Sequence, residues 1–184
     1  MRSLAVAALV LSLASPAGAI EVAGVKVPDT VTVEGKTLKL NGAGLRKKYG
    51  VVKVYVAALY LETPSKDAAA AISSSEVKSV RLFILRSLKG SQVSEAISEG
   101  FERNSKEQLP KLNARLETMK QMIPEVKDGD EIAFTWVPEK GVQVLVRGTD
   151  RGSIEGRDFA DALFSVWLGP NPAQDDLKKA LLGG

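Results

Sequence analysis

The residues best suited to chemistry lie between positions 40 and 62, where an arginine precedes an apolar stretch that carries two tyrosines. Arg46 follows a glycine-containing segment, and Tyr55 and Tyr60 occupy odd and even positions of the stretch, so they face opposite sides of an extended strand. An arginine beside a tyrosine can hold a carboxylate, because the guanidinium forms a forked, charge-assisted pair and the phenol adds a further donor. The surrounding apolar side chains would suit the rest of an amphipathic ligand. We therefore identify Arg46 and Tyr55 as a candidate ligand-binding pair.

Spacing alone favours a plainer interpretation, in which Arg46 lies on the surface and both tyrosines pack in the core. The neighbouring Lys47 and Lys48 could guide anions to an entrance, although two lysines of this kind are usually solvated surface. The two tryptophans, Trp136 and Trp167, are expected to be core residues, though either could line a ligand cleft.

Residue types that the chain lacks exclude several chemistries. There is no cysteine and no histidine, which excludes thiol nucleophiles, disulfides, histidine-based triads and the usual zinc sites. An acidic segment at residues 128–131 lacks the ligand spacing of an EF-hand loop. The 25 Lys and Arg residues nearly balance the 22 Asp and Glu residues, whereas a nucleic-acid-binding protein usually concentrates basic charge. We expect no metal, no cofactor and no nucleic-acid partner, and a hydrolase is a poor fit.

The first 19 residues have the three-part pattern of a signal peptide. Arg2 supplies a positive charge, residues 4–13 form a short apolar run, and small residues fill positions 17–19. The run is about half the ~20 residues that span a bilayer, which argues against a permanent membrane anchor. We predict cleavage after Ala19, with residues 20–184 as one periplasmic domain.

Hydrophobic periodicity predicts alternating groups of strands and helices within that domain. Strands are expected as two or three short ones over residues 20–40, then at 51–61, 77–88, 131–137 and 141–147. Helices are expected at residues 64–75, from 91 to before 110, from 110 to before 124, at 158–167 and at 175–182. Residues 41–44 and 151–156 are expected to be turns, because they are rich in glycine. The order of elements indicates a single α+β domain.

Two segments resemble the chalcone isomerase family. Residues 40–46 (LNGAGLR) and 53–62 (KVYVAALYLE) resemble the glycine-rich segment, arginine and following strand of the plant enzymes. Residues 156–169 (GRDFADALFSVWLG) are similar to a helix of bacterial chalcone isomerase-like proteins. The resemblance implies an open-faced β-sandwich, in which helices pack on one face of a large antiparallel sheet and a ligand cleft lies between them.

The same resemblance argues against the reaction of the isomerases. Arg46 matches the family arginine that steers the attacking phenolate, and Tyr55 stands where the strand's threonine would be. An alignment without gaps places Val93 at the position of the assisting tyrosine and Gly100 at that of the asparagine, while Val166 falls near the last hydroxyl position. Without these donors a cleft could attract an anion but could not position water and ketone for cyclisation.

Three hypotheses follow for the function. The family includes non-catalytic members that bind fatty acids, in which the arginine and a strand tyrosine hold the carboxylate; the resemblance thus favours an exported binding protein for fatty acids or similar apolar carboxylates. The alternative is an intramolecular lyase of the chalcone isomerase type, with Arg46 as its catalytic residue. A third is an interaction module whose partner fills the cleft. Oligomeric state, ligand chain length and pathway are left open.

Overall fold

The computed structural model describes residues 18–184, which contain a short β-hairpin, one large sheet and five α-helices. The hairpin consists of β1 (Ala19–Val22) and β2 (Val25–Pro28). Seven further strands form a single antiparallel sheet in which each pairs with the next along the chain. These strands are β3 (Thr30–Val33), β4 (Lys36–Lys48), β5 (Val52–Leu61), β6 (Lys78–Ile84), β7 (Glu131–Val137), β8 (Gly141–Val146) and β9 (Thr149–Ile154).

The helices connect or follow these strands. They are α1 (Ala68–Ser73), α2 (Gly90–Ser105), α3 (Leu109–Gln121), α4 (Arg157–Leu168) and α5 (Asp175–Leu181). A 3-10 turn, Lys106–Gln108, separates α2 from α3. Pro110 lies in the first turn of α3, where a backbone N–H would have no partner within the helix, so the N–H that proline lacks is not needed. None of the helices described between residues 18 and 184 is both long and apolar enough to cross a membrane.

The two faces of the sheet bury different sets of side chains, as the alternation of residues along each strand requires. One face packs against the helices, with Leu59, Leu82 and Phe134 among its fully buried residues. The opposite face carries Val56 and Tyr60 and is partly covered by the β1–β2 hairpin. The fold is therefore α+β, an antiparallel sheet with helices on one side, as the sequence predicts.

The glycine-rich segment at residues 41–44 is not a turn, contrary to the sequence prediction. It lies within β4, where a register shift separates the Leu40–Tyr60 pair from the Gly42–Leu59 pair. The glycines are needed because α5 lies directly over the strand. A Cβ on Gly42 would come within 2.0 Å of the Ala180 carbonyl oxygen, and one on Gly44 within 2.7 Å of the Ala180 Cβ. Glycine is therefore required at positions 42 and 44 by the close approach of α5, and not by a turn of the backbone.

Residues 151–156 are also not simply a turn, because most of them belong to the edge strand β9. Its pairing with β8 contains an irregularity between Val144 and Leu145. The segment lacks the alternation of apolar and polar residues that marks a strand, because this edge strand leaves most of its side chains in solvent. Composition therefore did not reveal it. The predicted leader at residues 1–19 lies outside the described residues except for Gly18 and Ala19.

Candidate functional site

A cleft of about 410 Å³ lies between the helical face of the sheet and helices α2 and α4. Its apolar wall is formed by Leu82 and Ile84 from β6, Val93 and Ile97 from α2, and Val166 from α4. Charged side chains also line it. The volume falls within the range of small-molecule sites, about 300–1,000 Å³.

Arg46 and Tyr55 meet at this cleft. They are directly opposite each other on the antiparallel strands β4 and β5, and residues opposed in this way project from the same face. Both line the cleft and both are half-buried. The structure thus brings together the two residues that the sequence singles out, on the helical face of the sheet. Tyr60 projects from the other face, as predicted, and its hydroxyl donates to the Pro28 carbonyl at 2.8 Å.

A β-bulge beside the pair shapes the wall of the cleft. The pairing of Arg46 with Tyr55 is followed by that of Lys47 with Lys53, which leaves Val54 without an opposed residue. A bulge of this kind re-aims the neighbouring side chains. Val52, Val54 and Tyr55 consequently all line the cleft.

The Tyr55 hydroxyl is held by a tryptophan from α4. The Trp167 indole Nε1 donates to the Tyr55 oxygen at 3.1 Å. Burial raises the pKa of the Tyr55 phenol above its usual value, although the Trp167 hydrogen bond and the Arg46 charge oppose that effect. The hydroxyl therefore keeps its proton at neutral pH. Because the indole occupies an oxygen lone pair and not this proton, Tyr55 can still donate to a ligand.

Arg46 is oriented by a glutamine at the start of α5. Its Nη1 donates to the Gln174 Oε1 at 3.3 Å and to the Lys47 carbonyl. Gln174 also accepts from the Lys47 backbone N–H at 2.9 Å and donates to the Leu45 carbonyl at 3.2 Å. These contacts are with neutral partners, so the charge of Arg46 stays available to an anion. A guanidinium has five N–H donors, and the contacts of Nη1 leave others free.

Further charges surround the entrance. Lys48, Arg86 and Arg103 line the cleft, together with Glu95 and Glu99. Arg103 is paired with Glu99 at 3.5 Å, one helical turn away on α2. The entrance therefore has more basic than acidic side chains, which favours an anionic group at the mouth and an apolar one deeper inside.

Three of the positions that the resemblance aligns with polar groups of the isomerases, namely 93, 100 and 166, contribute no side-chain donor. Val93 and Val166 present hydrocarbon to the cleft. At Gly100 a Cβ would lie 2.7 Å from the Val166 Cγ1, so glycine is required for α2 to pack this closely on α4. The described residues, 18–184, contain no group of three His, Cys, Asp or Glu side chains able to hold a metal ion.

Trp167 is buried and also lines the cleft, as the sequence analysis allowed, but sequence reasoning missed its hydrogen bond to Tyr55 and the roles of Gln174 and Arg86. Trp167 lies 112 positions from Tyr55, and its spacing along α4 indicated a core residue, which it also is. Gln174 follows a proline-rich segment that gave no sign of contact with β4. Arg86 lies just beyond the end of β6, in a segment that was predicted to continue the strand. A signal for Trp167 existed, since an indole on the buried stripe of a helix needs an acceptor.

Comparison with known proteins agrees with the fold. The sequence profile described as chalcone isomerase-like matches residues 19–183. A crystal structure of a fatty-acid binding protein from Arabidopsis thaliana superposes with a TM-score of 0.68 and 14% sequence identity, covering 86% of this chain and 92% of that chain. At this identity the likeness shows a common fold. No curated protein sequence matches the chain.

Proposed function

Because this chain belongs to the chalcone isomerase-like family, we propose that it is an exported protein that binds fatty acids or similar apolar carboxylates in its cleft. The ligand's carboxylate would pair with Arg46 and accept a hydrogen bond from Tyr55. Its hydrocarbon tail would lie against the apolar wall formed by β6, α2 and α4.

The observation that carries this proposal is the convergence of Arg46 and Tyr55 at a cleft that has a charged entrance and an apolar wall. The arginine supplies a permanent positive charge, and the tyrosine supplies a neutral donor whose proton is retained because burial raises its pKa. A carboxylate accepts from both, since it offers two oxygens with about four lone-pair sites. Charge-assisted hydrogen bonds in a partly desolvated site are worth roughly 1.5–3 kcal/mol each.

The rest of the cleft supports a binding role over a catalytic one. Cyclisation of the isomerase type requires donors that position water and a ketone oxygen at the developing charge. Here Val93 and Val166 stand at two of those positions, and Gly100 stands at a third, against Val166. None of these residues supplies a side-chain donor, and Val93 and Val166 add hydrocarbon to the lining of the cleft.

The structural neighbour adds support from outside the chain. Its printed description is that of a fatty-acid binding protein, and it has the same fold. A shared fold by itself does not transfer a ligand, so the weight of the proposal rests on Arg46 and Tyr55.

Export is the second part of the proposal and rests on the leader sequence. Cleavage after Ala19 would remove the first residue of β1, which pairs with Pro28. The remaining pairs, Ile20 with Val27 through Val22 with Val25, would be retained, so the hairpin could persist in a mature periplasmic protein. N-terminal sequencing of protein recovered from the cell envelope should begin at Ile20, and recovery of the intact Met1 terminus would contradict export.

Native mass spectrometry of the purified mature protein tests the binding function. We expect a bound species whose mass, after dissociation, corresponds to a fatty acid or another apolar carboxylate, or else uptake of an added fatty acid by empty protein. A protein that carries no such ligand and takes up none from a series of chain lengths would contradict the proposal. A chalcone turnover rate above that of spontaneous cyclisation would favour the lyase instead.

A further inference from the structure

The turn between β4 and β5 exposes apolar side chains that the fold does not use. Within residues 18–184 the exposed large hydrophobic side chains are Ile20, Tyr49 and Val51, and the last two belong to this three-residue turn. Tyr49 is 83% exposed and Val51 is 79% exposed. We call residues 47–53 the hairpin tip.

Tyr49 is an unusual residue for its backbone conformation. It has a φ of 54° and is followed by Gly50 with a φ of 73°. Asn, Asp or Gly adopts this left-handed region more readily than a bulky residue does. A tyrosine here costs free energy in the backbone and leaves most of its ring in water. The exposed ring therefore points to a use outside the chain.

The hairpin tip is also strongly basic. Lys47 and Lys53 are directly opposite each other on β4 and β5, and like charges in this arrangement destabilise a strand pair. Lys48 lies beside them, with its Nζ 5.3 Å from the centre of the Tyr49 ring. Residues 37–61 contain no Asp or Glu. The hairpin tip thus combines lysines that repel one another with exposed apolar side chains, and this combination fits a partner that is both anionic and apolar.

The hairpin tip borders the entrance of the cleft. Lys48, Tyr49 and Val52 line the cleft itself, and Arg86 lines it from the segment after β6. Whatever the hairpin tip contacts therefore lies next to the opening through which a ligand enters. The acidic residues of the lining, Glu95 and Glu99, belong to α2, and Glu99 is paired with Arg103.

We propose that the hairpin tip docks the protein on the surface of an anionic lipid bilayer, with the cleft entrance facing the membrane. Tyr49 and Val51 enter the interfacial region, where amphipathic aromatic rings are favoured. Lys47, Lys48 and Lys53 lie at the level of the lipid phosphates, to which basic side chains are attracted. Docking itself is independent of the cleft's ligand. Only the exchange of a lipid-derived carboxylate between bilayer and cleft rests on the function proposed above.

Vesicle co-sedimentation of the mature protein, with no fatty acid added, tests this docking. We expect binding to vesicles of phosphatidylcholine mixed with phosphatidylglycerol, weak binding to phosphatidylcholine alone, and loss of binding in high salt because the attraction is screened. The double variant Val51→Thr/Lys53→Glu should bind anionic vesicles roughly tenfold or more weakly. Tyr49→Asn, which suits the positive φ, should also weaken binding.

Two controls make the result decisive. Lys66→Glu reverses one exposed charge beyond the other end of β5, about 30 Å from the hairpin tip, and should bind like the wild type. Val51 and Lys53 are not part of the cleft lining, so their double variant should still bind a soluble fatty acid such as decanoate. The docking proposal is overturned if the wild-type protein does not prefer anionic vesicles, or if the hairpin-tip variants bind them as well as it does. Neither result would affect carboxylate binding in the cleft.

Discussion

The Tyr55 hydroxyl accepts a hydrogen bond at its oxygen, which leaves its proton able to serve as a donor in the proposed carboxylate site. The Trp167 indole donates to the oxygen at 3.1 Å, which fixes the phenol against α4. Parity along β5 was enough to predict that Tyr55 and Tyr60 face opposite sides of the sheet, because strand side chains alternate. Its tryptophan partner could not be predicted, since that contact depends on how α4 crosses the sheet.

We expect Tyr55→Phe to lower the affinity for a fatty acid by about tenfold, because one hydrogen bond to a charged group is lost. Affinity for the methyl ester should change much less. The unfolding free energy should also fall by roughly 1–2 kcal/mol, since the Trp167 N–H loses its acceptor. Titration with the fatty acid, followed by tryptophan fluorescence, measures the affinity. Because the chain has two tryptophans, a Trp136→Phe background isolates the fluorescence of Trp167.

Tyr60→Phe is the matched control for this prediction. It removes the hydrogen bond to the Pro28 carbonyl on the opposite face, so it should lower stability and leave affinity unchanged. Equal losses of affinity in the two variants would show that Tyr55 acts only through stability.

Lys78 is a buried ammonium group outside the cleft. Its side chain is 1% exposed, and its Nζ donates to the carbonyls of Ala71, Ile72 and Ser74 at the end of α1. Asp161 lies 3.9 Å away. Burial lowers the pKa of Lys78 to about 8, although the Asp161 charge opposes this shift.

Lys78 should make stability depend on pH in the alkaline range. Its folded-state pKa of about 8 lies below the ordinary value of 10.5, so the unfolded chain binds more protons between these pH values. The unfolding free energy of the wild type, relative to Lys78→Met, should therefore rise from pH 8 to pH 10.5, by on the order of 3 kcal/mol. Denaturant unfolding at a series of pH values measures this difference. A flat difference over that range would show that burial does not depress the lysine's pKa.

Among the elements, the packing of α5 on β4 positions Arg46. Gln174 contacts the strand at Leu45, Arg46 and Lys47, and Asn41 donates to the Leu181 carbonyl at 2.8 Å. Between these two contacts the glycines at 42 and 44 let the helix lie against the strand. The sequence predicted the helix α5, but it assigned the glycines at 42 and 44 to a turn. A positive φ and the close approach of another element both select glycine, so residue type alone does not distinguish the two causes.

Gly44→Ala should lower the unfolding free energy by roughly 1–3 kcal/mol, since the new Cβ overpacks against Ala180 and Leu177. Adding Ala180→Gly should recover part of that loss, although glycine in a helix itself costs about 1 kcal/mol. A double-mutant cycle by chemical denaturation measures this coupling. Gly42→Ala serves as the comparison: its Cβ meets backbone atoms of α5, which Ala180→Gly cannot remove, so it should not be rescued. Additive effects for Gly44→Ala and Ala180→Gly would contradict close packing as the reason for the glycine.

For the molecule as a whole, the order and type of most elements follow from hydrophobic periodicity. The β7–β8 hairpin, the central strand β5 and the separation of α2 from α3 near Pro110 all lie where the sequence predicts them. The edge strand β9 was missed, because it is mostly exposed and carries little apolar signal. The candidate pair was predictable by residue type, whereas the cleft around it was not, since β6, α2 and α4 contribute to it from distant parts of the chain.

The proposed function depends on recognition of a carboxylate by Arg46 at the mouth of the cleft. Isothermal titration of a fatty acid and of its methyl ester, into the wild type and into Arg46→Gln, measures this recognition. The wild type should bind the acid at least about tenfold more tightly than the ester, and Arg46→Gln should lose most of that preference. Arg103→Gln, which removes a cleft arginine already paired with Glu99, should keep it. Equal affinity of the wild type for acid and ester, or an undiminished preference in Arg46→Gln, would contradict carboxylate recognition by Arg46.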